Sequence, residues 1–167
     1  MRVEPDEEVL WLPETLLQTI LAETLAFAPY ETGGMLLGYV NGSHRVVTAL
    51  IEAGPEAKHS RDRMLPDNAY QQAKLRSHFE ETGGRESFLG EWHSHPASAP
   101  LMSWTDRRTL SRVSVDSKHL PAIPVMMIVG VDAHPESFQI RSYRRRDSLR
   151  RLWPSARHFS ELSLRPF

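Results

Sequence analysis

Gly33-Gly34-Met35-Leu36-Leu37-Gly38-Tyr39-Val40-Asn41-Gly42-Ser43-His44-Arg45-Val46-Val47-Thr48-Ala49-Leu50-Ile51 is the stretch on which the fold turns. An apolar run over 33–40, an Asn41-Gly42 pair and a β-branched run over 44–51 predict a β-hairpin, because Asn-Gly tolerates the positive φ angles of a tight turn. Upstream, residues 8–12 read as a short strand stopped by Pro13, a residue suited to the first turn of a helix, where its missing N–H costs nothing. Residues 14–27 carry Leu16, Leu17, Ile20, Leu21 and Leu25 at helical spacing, and Pro29 closes that segment. Downstream, residues 52–66 are polar, are punctuated by Gly54 and Pro55, and read as an extended connection. Asp67 is placed to cap a helix running to about residue 81, with Ala69, Ala73, Leu75 and Phe79 toward the core and Gly83-Gly84 at its end. Residues 87–92 read as a strand leading into His93, and a loop rich in proline and alanine covers 96–102. Ser103 caps a predicted helix over 104–115, residues 123–131 are nearly all apolar and read as a central buried strand, and 138–143 alternate as a final outer strand. Strands and helices interleave, which predicts an α/β fold, a mixed β-sheet flanked by helices, in one domain over 1–167.

Composition narrows the function classes. The chain has 167 residues, 40% hydrophobic and 25% charged, with a net charge of -1, the values of an ordinary globular protein and not of a general nucleic-acid or membrane binder. There is no cysteine, so a disulfide scaffold, a Cys-rich zinc site and a cysteine nucleophile are excluded, and any metal site must use histidine and carboxylates. That composition is compatible with a reducing cytoplasm. The acidic first ten residues, Met1 to Leu10, do not resemble a secretory signal. No stretch approaches the roughly 18 apolar residues of a membrane span.

Chemistry concentrates in Gly90-Glu91-Trp92-His93-Ser94-His95-Pro96 and Ser103-Trp104-Thr105-Asp106. On a strand, side chains at i and i+2 share a face, so His93 and His95 present two imidazoles to one divalent ion. A catalytic zinc takes three protein ligands and keeps one position open. Asp106, in the first turn of the next helix, would complete a set of two nitrogens and one carboxylate oxygen. A bound ion acidifies water toward neutrality, and a carboxylate then takes the proton and delivers it to the leaving amine. Glu31 stands just before the hairpin, and Ser103 is on the same helical turn as Asp106, where its hydroxyl would donate to an oxyanion. Each residue also has a plain reading: His93 a satisfied core histidine, Asp106 a partner of the helix dipole, Ser103 an N-cap.

His93-Ser94-His95-Pro96, the seven residues between His95 and Ser103 and the two between Ser103 and Asp106 resemble the JAMM motif of the MPN+ (JAB-type) zinc metalloproteases. Glu31-Thr32-Gly33-Gly34-Met35-Leu36-Leu37-Gly38 resembles that family's upstream glutamate segment, and the likeness spans about residues 12–143. The resemblance implies a fold similar to cytidine deaminases, one zinc per chain on His93, His95 and Asp106, Glu31 as acid/base and Ser103 as oxyanion stabiliser. It implies hydrolysis of the bond after the C-terminal glycine of a ubiquitin or ubiquitin-like protein, whose conjugates would be the substrate. The compact form resembles stand-alone bacterial members, for which operon-encoded activating-like and conjugating-like enzymes in antiviral defence are implied partners. Two other readings stand beside this one: release of a sulfur-carrier protein from a small product, and a metal-free MPN interaction module.

Further features have competing readings. Trp92 should face away from His93 into the core, while Trp104 either packs or lines a channel for a substrate tail. Gly33 and Gly34 either admit a substrate strand to a sheet edge or form a turn. The arginine-rich stretch 141–151 reads first as a solvated face and second as a patch for an acidic partner. His44, His59, His78, His119, His134 and His158 read as surface or loop residues.

Overall fold

A computed structural model describes residues 7–117, 120–131, 137–146 and 153–167. The hairpin forms as expected from β2 (Gly33–Asn41) and β3 (His44–Ile51). Gly42 alone takes the left-handed conformation (φ 61°), while Asn41 remains in the strand opposite His44, so the turn is centred on Gly42-Ser43. Ahead of it are β1 (Val9–Leu12) and α1 (Glu14–Phe27), with Pro13 as N-cap. Ile20 and Thr24 form the buried stripe of α1, with Leu16, Leu17 and Leu21 packed beside it, whereas Leu25 faces solvent.

Residues 52–66 differ from a plain extended connection. They contain β4 (Lys58–His59) and β5 (Met64–Leu65), paired antiparallel as a separate two-stranded sheet. Asp67 caps α2 (Asn68–Glu81) by accepting from the Tyr70 N–H. The inward face of α2 is Tyr70, Gln71 and Leu75 rather than Ala69, Ala73 and Phe79. Its apolar residues are too few to fix the helix phase, and Gln71 earns its burial by donating to the Glu52 carbonyl.

The remaining elements are β6 (Ser87–His95), α3 (Trp104–Asp116), β7 (Val125–Val131), β8 (Phe138–Arg145), a 3₁₀ turn (Ala156–His158) and β9 (Phe159–Pro166). The mixed sheet with flanking helices is as expected, but it closes. The order is β1-β3-β2-β6-β7-β8-β9, and β1 pairs in parallel with both β3 and β9. β8 is therefore not the outer strand. The unforeseen β9 pairs with it on one side and with β1 on the other, leaving no free edge in the barrel.

Closure gives the strands two buried faces. Val125, Met127 and Val129 of β7 join Leu10, Leu36, Val47 and Trp92 in the cluster shared with Ile20 of α1. Met126 and Ile128 point the other way, into a cluster with Met102, Leu110, Tyr143 and Phe159 under α3. This is why β7 reads as a continuous apolar run.

The structure narrows two further readings of the sequence. Gly33 and Gly34 are strand residues and not a turn: they pair with His93 and Trp92 of β6, while the register with β3 begins at Met35. A Cβ on Gly34 would stand 2.2 Å from the Ile51 carbonyl oxygen, and one on Gly33 would stand 2.3 Å from that of Trp92. The glycines serve internal backbone packing. Where it is described, the arginine-rich stretch is a solvated face only in part. Arg145 is fully buried and Arg144 is half-buried against Glu8, whereas Arg141, paired with Glu161, and Arg146, whose Nε donates to the Phe159 carbonyl, are exposed. Residues 147–152 lie outside the described residues, as do His119 and His134. The other histidines are bonded: His44 accepts from the Trp11 indole N–H, and His78 meets Glu86. Among the described residues no helix is long and apolar enough to cross a membrane.

Candidate metal centre

β6 ends at the site. Trp92 points into the core, at 2% exposure, so by strand alternation His93 and His95 share the opposite face, toward the start of α3. Their Nε2 atoms are 3.1 Å apart. Asp106, in the first turn of α3, sets Oδ1 3.3 Å from His93 Nε2 and Oδ2 3.5 Å from His95 Nε2. The His95 ring is oriented from behind by the contact of Nδ1 with the Ala99 carbonyl, at 3.3 Å.

The local sequence explains how Asp106 comes to face the histidines. Ser103 and Asp106 form a capping box, in which Ser103 Oγ accepts from the Asp106 N–H at 3.1 Å and Asp106 Oδ2 accepts from the Ser103 N–H at 2.7 Å. The spacing of two residues between them is what a capping box needs, and it ties Oδ2 to the backbone while Oδ1 faces His93. Ser103 is exposed and uses its oxygen as the acceptor, which leaves its O–H free to donate.

These residues suit a divalent ion. Donors held about 2.0–2.1 Å from a tetrahedral zinc stand about 3.3 Å from one another, and the three separations here are 3.1, 3.3 and 3.5 Å. Two imidazole nitrogens facing each other at that range repel unless a proton or a cation lies between them. The electrostatics agree. Burial opposes the charged form of His95, but hydrogen bonding and attraction to Asp106 outweigh it and hold its pKa above the ordinary value. Burial likewise opposes ionisation of Asp106, yet hydrogen bonds from His93 and His95 pull its carboxyl far below the usual range. The cluster is one that wants positive charge in its middle. Among the described residues it is the one group of His, Asp and Glu side chains spaced to hold an ion.

Glu31 immediately precedes the Thr32-Gly33 entry into β2. Burial pushes its carboxyl above the ordinary range, and His93, His95 and Asp106 are near enough for their charges to act on it. Its backbone is tied to the small sheet: its N–H donates to the Ser60 carbonyl at 2.7 Å and its carbonyl accepts from His59 Nδ1 at 2.8 Å. All five positions expected from the sequence thus gather in one place.

Two neighbours were not singled out by the sequence. Glu91, two residues before His93, shares the histidine face, and burial pushes its carboxyl up against the pull of His93 and Arg112. The i−2 spacing was its only signal. His59 had none, because its contact with Glu31 spans 28 residues. Trp104 is not core: it is 46% exposed, lies near Trp153 at 5.9 Å between ring centroids, and is covered by the Arg108 guanidinium. Beside His95, a cleft of about 520 Å³ is lined by Pro96, Ser98, Pro100, Gly130 and Gln139 among others.

Comparisons with known proteins agree with this geometry. The family model for prokaryotic homologs of the JAB domain matches residues 13–146. A probable metalloprotease, y4qB, of Sinorhizobium fredii is 31% identical over 73% of this chain and 76% of its own length. A CD-NTase/cGAS isopeptidase of Vibrio cholerae is 33% identical over 60% of this chain and 62% of its own, and one of Escherichia coli is 27% identical over 75% and 78%. The solution structure of protein DSY2949 from Desulfitobacterium hafniense shares the fold, with a TM-score of 0.61, 18% identity and coverage of 95% of this chain and 92% of that one.

Proposed function

Since the chain belongs to the family of prokaryotic homologs of the JAB domain, as a JAMM-type hydrolase, we propose that it is a zinc-dependent isopeptidase or peptidase cleaving the bond after the C-terminal glycine of a protein modifier. The observation that carries this reading is the convergence of His93 Nε2, His95 Nε2 and the Asp106 carboxylate, separated by 3.1 to 3.5 Å, with the half-buried Glu31 within reach of their charges. When bound, zinc supplies a Lewis acid that polarises a carbonyl and acidifies water. His93, His95 and Asp106 are the residues that would hold it. Glu31 takes a proton from the attacking water and passes it to the departing amine as the C–N bond breaks and a C–O bond forms. A carboxyl held above its ordinary pKa suits both halves of that transfer. The Ser103 O–H donates to the oxyanion that develops on the former carbonyl.

A ubiquitin-like protein and its conjugates are the first reading of the substrate, in a cytoplasmic conjugation pathway serving antiviral defence. The names of the relatives from Vibrio cholerae and Escherichia coli favour a second, in which the released modifier is a CD-NTase. In both readings the extended tail lies over the strand ends and the cleft beside His95, because β2 is paired with both β3 and β6 from Met35 onward. The experiment offers two fusions, a ubiquitin-like protein and a CD-NTase, each with a short extension after its C-terminus, to wild type with and without chelator and to Glu31→Gln. Cleavage of one fusion, abolished by chelator and by Glu31→Gln with zinc retained, is the expected result. Cleavage that persists in chelator or in Glu31→Gln overturns the proposal.

A further inference from the structure

The catalytic assignment leaves open what holds Glu31 still. The residue belongs to no helix or strand; it lies between the end of α1 and the start of β2. The next residue is anchored to β6: the Thr32 N–H donates to Ser94 Oγ at 3.0 Å, and the Ser94 N–H donates to the Thr32 carbonyl at 2.8 Å. At Glu31 itself, both backbone polar groups turn to the opposite side and are satisfied by the β4–β5 sheet.

We propose that His59 is a positioning residue for Glu31, and that the β4–β5 hairpin is a clamp setting where the catalytic carboxyl stands. The Glu31 carbonyl only accepts, so His59 Nδ1 carries the proton and donates across 2.8 Å. That bond exists in both the neutral and the cationic ring. The ring is held in plane by Phe27, the last residue of α1, at 4.2 Å between centroids. The hairpin that carries it is self-supporting. Lys58 and His59 pair with Leu65 and Met64, the Ser60 N–H donates to the Arg63 carbonyl at 2.8 Å, and Ser60 Oγ donates to that same carbonyl at 2.8 Å. Its seat is prepared as well. A Cβ on Gly33 would lie 2.9 Å from Met64 Cε, so glycine there lets the hairpin close down next to Glu31. A base displaced by about 1 Å costs a large factor in rate without altering zinc binding or substrate affinity.

This inference rests on Glu31 being the base, and the experiment separates the two. His59→Phe keeps a ring against Phe27 and loses the donor; His59→Asn loses the ring and keeps an N–H close to the Nδ1 position. With the fusion substrate cleaved by wild type, His59→Phe is expected to lose about 10- to 100-fold in kcat with KM and zinc content unchanged, and His59→Asn to recover most of the loss. Amide hydrogen exchange at Glu31, followed in the zinc-free protein, is expected to accelerate in His59→Phe and to return toward wild type in His59→Asn. Wild-type kcat and exchange in His59→Phe overturn the clamp, as does equal impairment of both variants, which would assign the effect to ring packing. An active Glu31→Gln overturns the base; an inactive Glu31→Gln beside a fully active His59→Phe overturns the clamp alone.

Discussion

Ser103 has two duties in this site, and substitution can separate them. As N-cap, its oxygen accepts from the Asp106 N–H at 3.1 Å. As proposed oxyanion donor, it uses its hydrogen. Ser103→Ala removes both, and losing such a cap costs about 1 kcal/mol, which for a chain of this size lowers Tm by roughly 2–4 °C. Ser103→Gly removes the hydroxyl equally but costs the helix only a few tenths of a kcal/mol, because glycine is tolerated at the N-cap. The bond that orients the Asp106 carboxylate comes from the Ser103 backbone N–H, at 2.7 Å, and persists in both variants, so zinc content should stay at the wild-type level. Loss of one oxyanion donor lowers kcat by about 10² to 10³. The expected pattern is therefore equal rate losses in Ser103→Ala and Ser103→Gly, unequal Tm values, and near-complete recovery of both properties in Ser103→Thr. The assays are thermal unfolding, zinc content and steady-state cleavage of the fusion substrate. A Ser103→Gly enzyme with wild-type kcat, or rate losses that track the Tm losses, would refute the donor role and leave Ser103 a cap alone.

Three other outcomes follow from the same coordinates. His93→Ala, His95→Ala and Asp106→Ala should each reduce zinc from about one per chain to a small fraction, and chelator should lower the Tm of wild type but not of the variants; a variant that keeps full zinc removes its residue from the ligand set. Gly34→Ala should lower the unfolding free energy by at least the roughly 1–3 kcal/mol usual for overpacking, read as a lower urea midpoint, because its Cβ meets the Ile51 carbonyl oxygen at 2.2 Å and the Trp92 indole nitrogen at 3.0 Å; an unchanged midpoint contradicts that packing. Glu23 supplies a pH test: burial raises its carboxyl above the ordinary carboxylate range, against the hydrogen bond from Thr32 Oγ1. A raised folded pKa means stability that is fully present below the unfolded pKa and lost as pH rises through the folded value. Glu23→Gln keeps an oxygen acceptor for Thr32 and removes that loss, so the stability difference between variant and wild type should grow in the variant's favour as pH rises from about 4; a pH-independent difference refutes the burial argument.

What was legible in the sequence was whatever local chemistry demands. His93 and His95 stand two apart because a strand puts i and i+2 on one face. Ser103 and Asp106 stand three apart because a capping box needs that reach, and Gly42 marks its turn by backbone freedom. β7 reads as buried because both of its faces are covered. The misses share the opposite property. β9 carries a weak pattern, with Leu162 inward and Glu161, Arg165 and Pro166 outward or intermediate, and only its pairing with both β8 and β1 makes it a strand. The β4–β5 sheet is two residues deep on each side and leaves no periodicity to detect. The Gly33-Gly34 pair records a close approach without saying by what, and the approaching atoms here include carbonyls of the protein's own strands.

The competing plain readings of the site residues turn out not to be alternatives. Ser103 is an N-cap, and Asp106 does sit at the positive end of a helix. Those roles are how the carboxylate comes to be aimed. A free aspartate in a loop would sample many rotamers, whereas Asp106 has Oδ2 tied to a backbone N–H, and its Oδ1 is left 3.3 Å from His93 Nε2. His95 is likewise both a buried histidine with a backbone partner and a donor in the cluster, and the Ala99 contact on Nδ1 is what leaves Nε2 to face Asp106. In each case one ring nitrogen or one oxygen is spent on structure so that the other is presented to the ion. The same economy extends to Glu31, whose backbone is spent on Ser60 and His59 and whose carboxyl is left near enough to the cluster for its charges to act on it. In a site assembled this way the protein's own hydrogen bonds aim the donors, and the tests on Ser103 and His59 therefore measure orientation rather than presence.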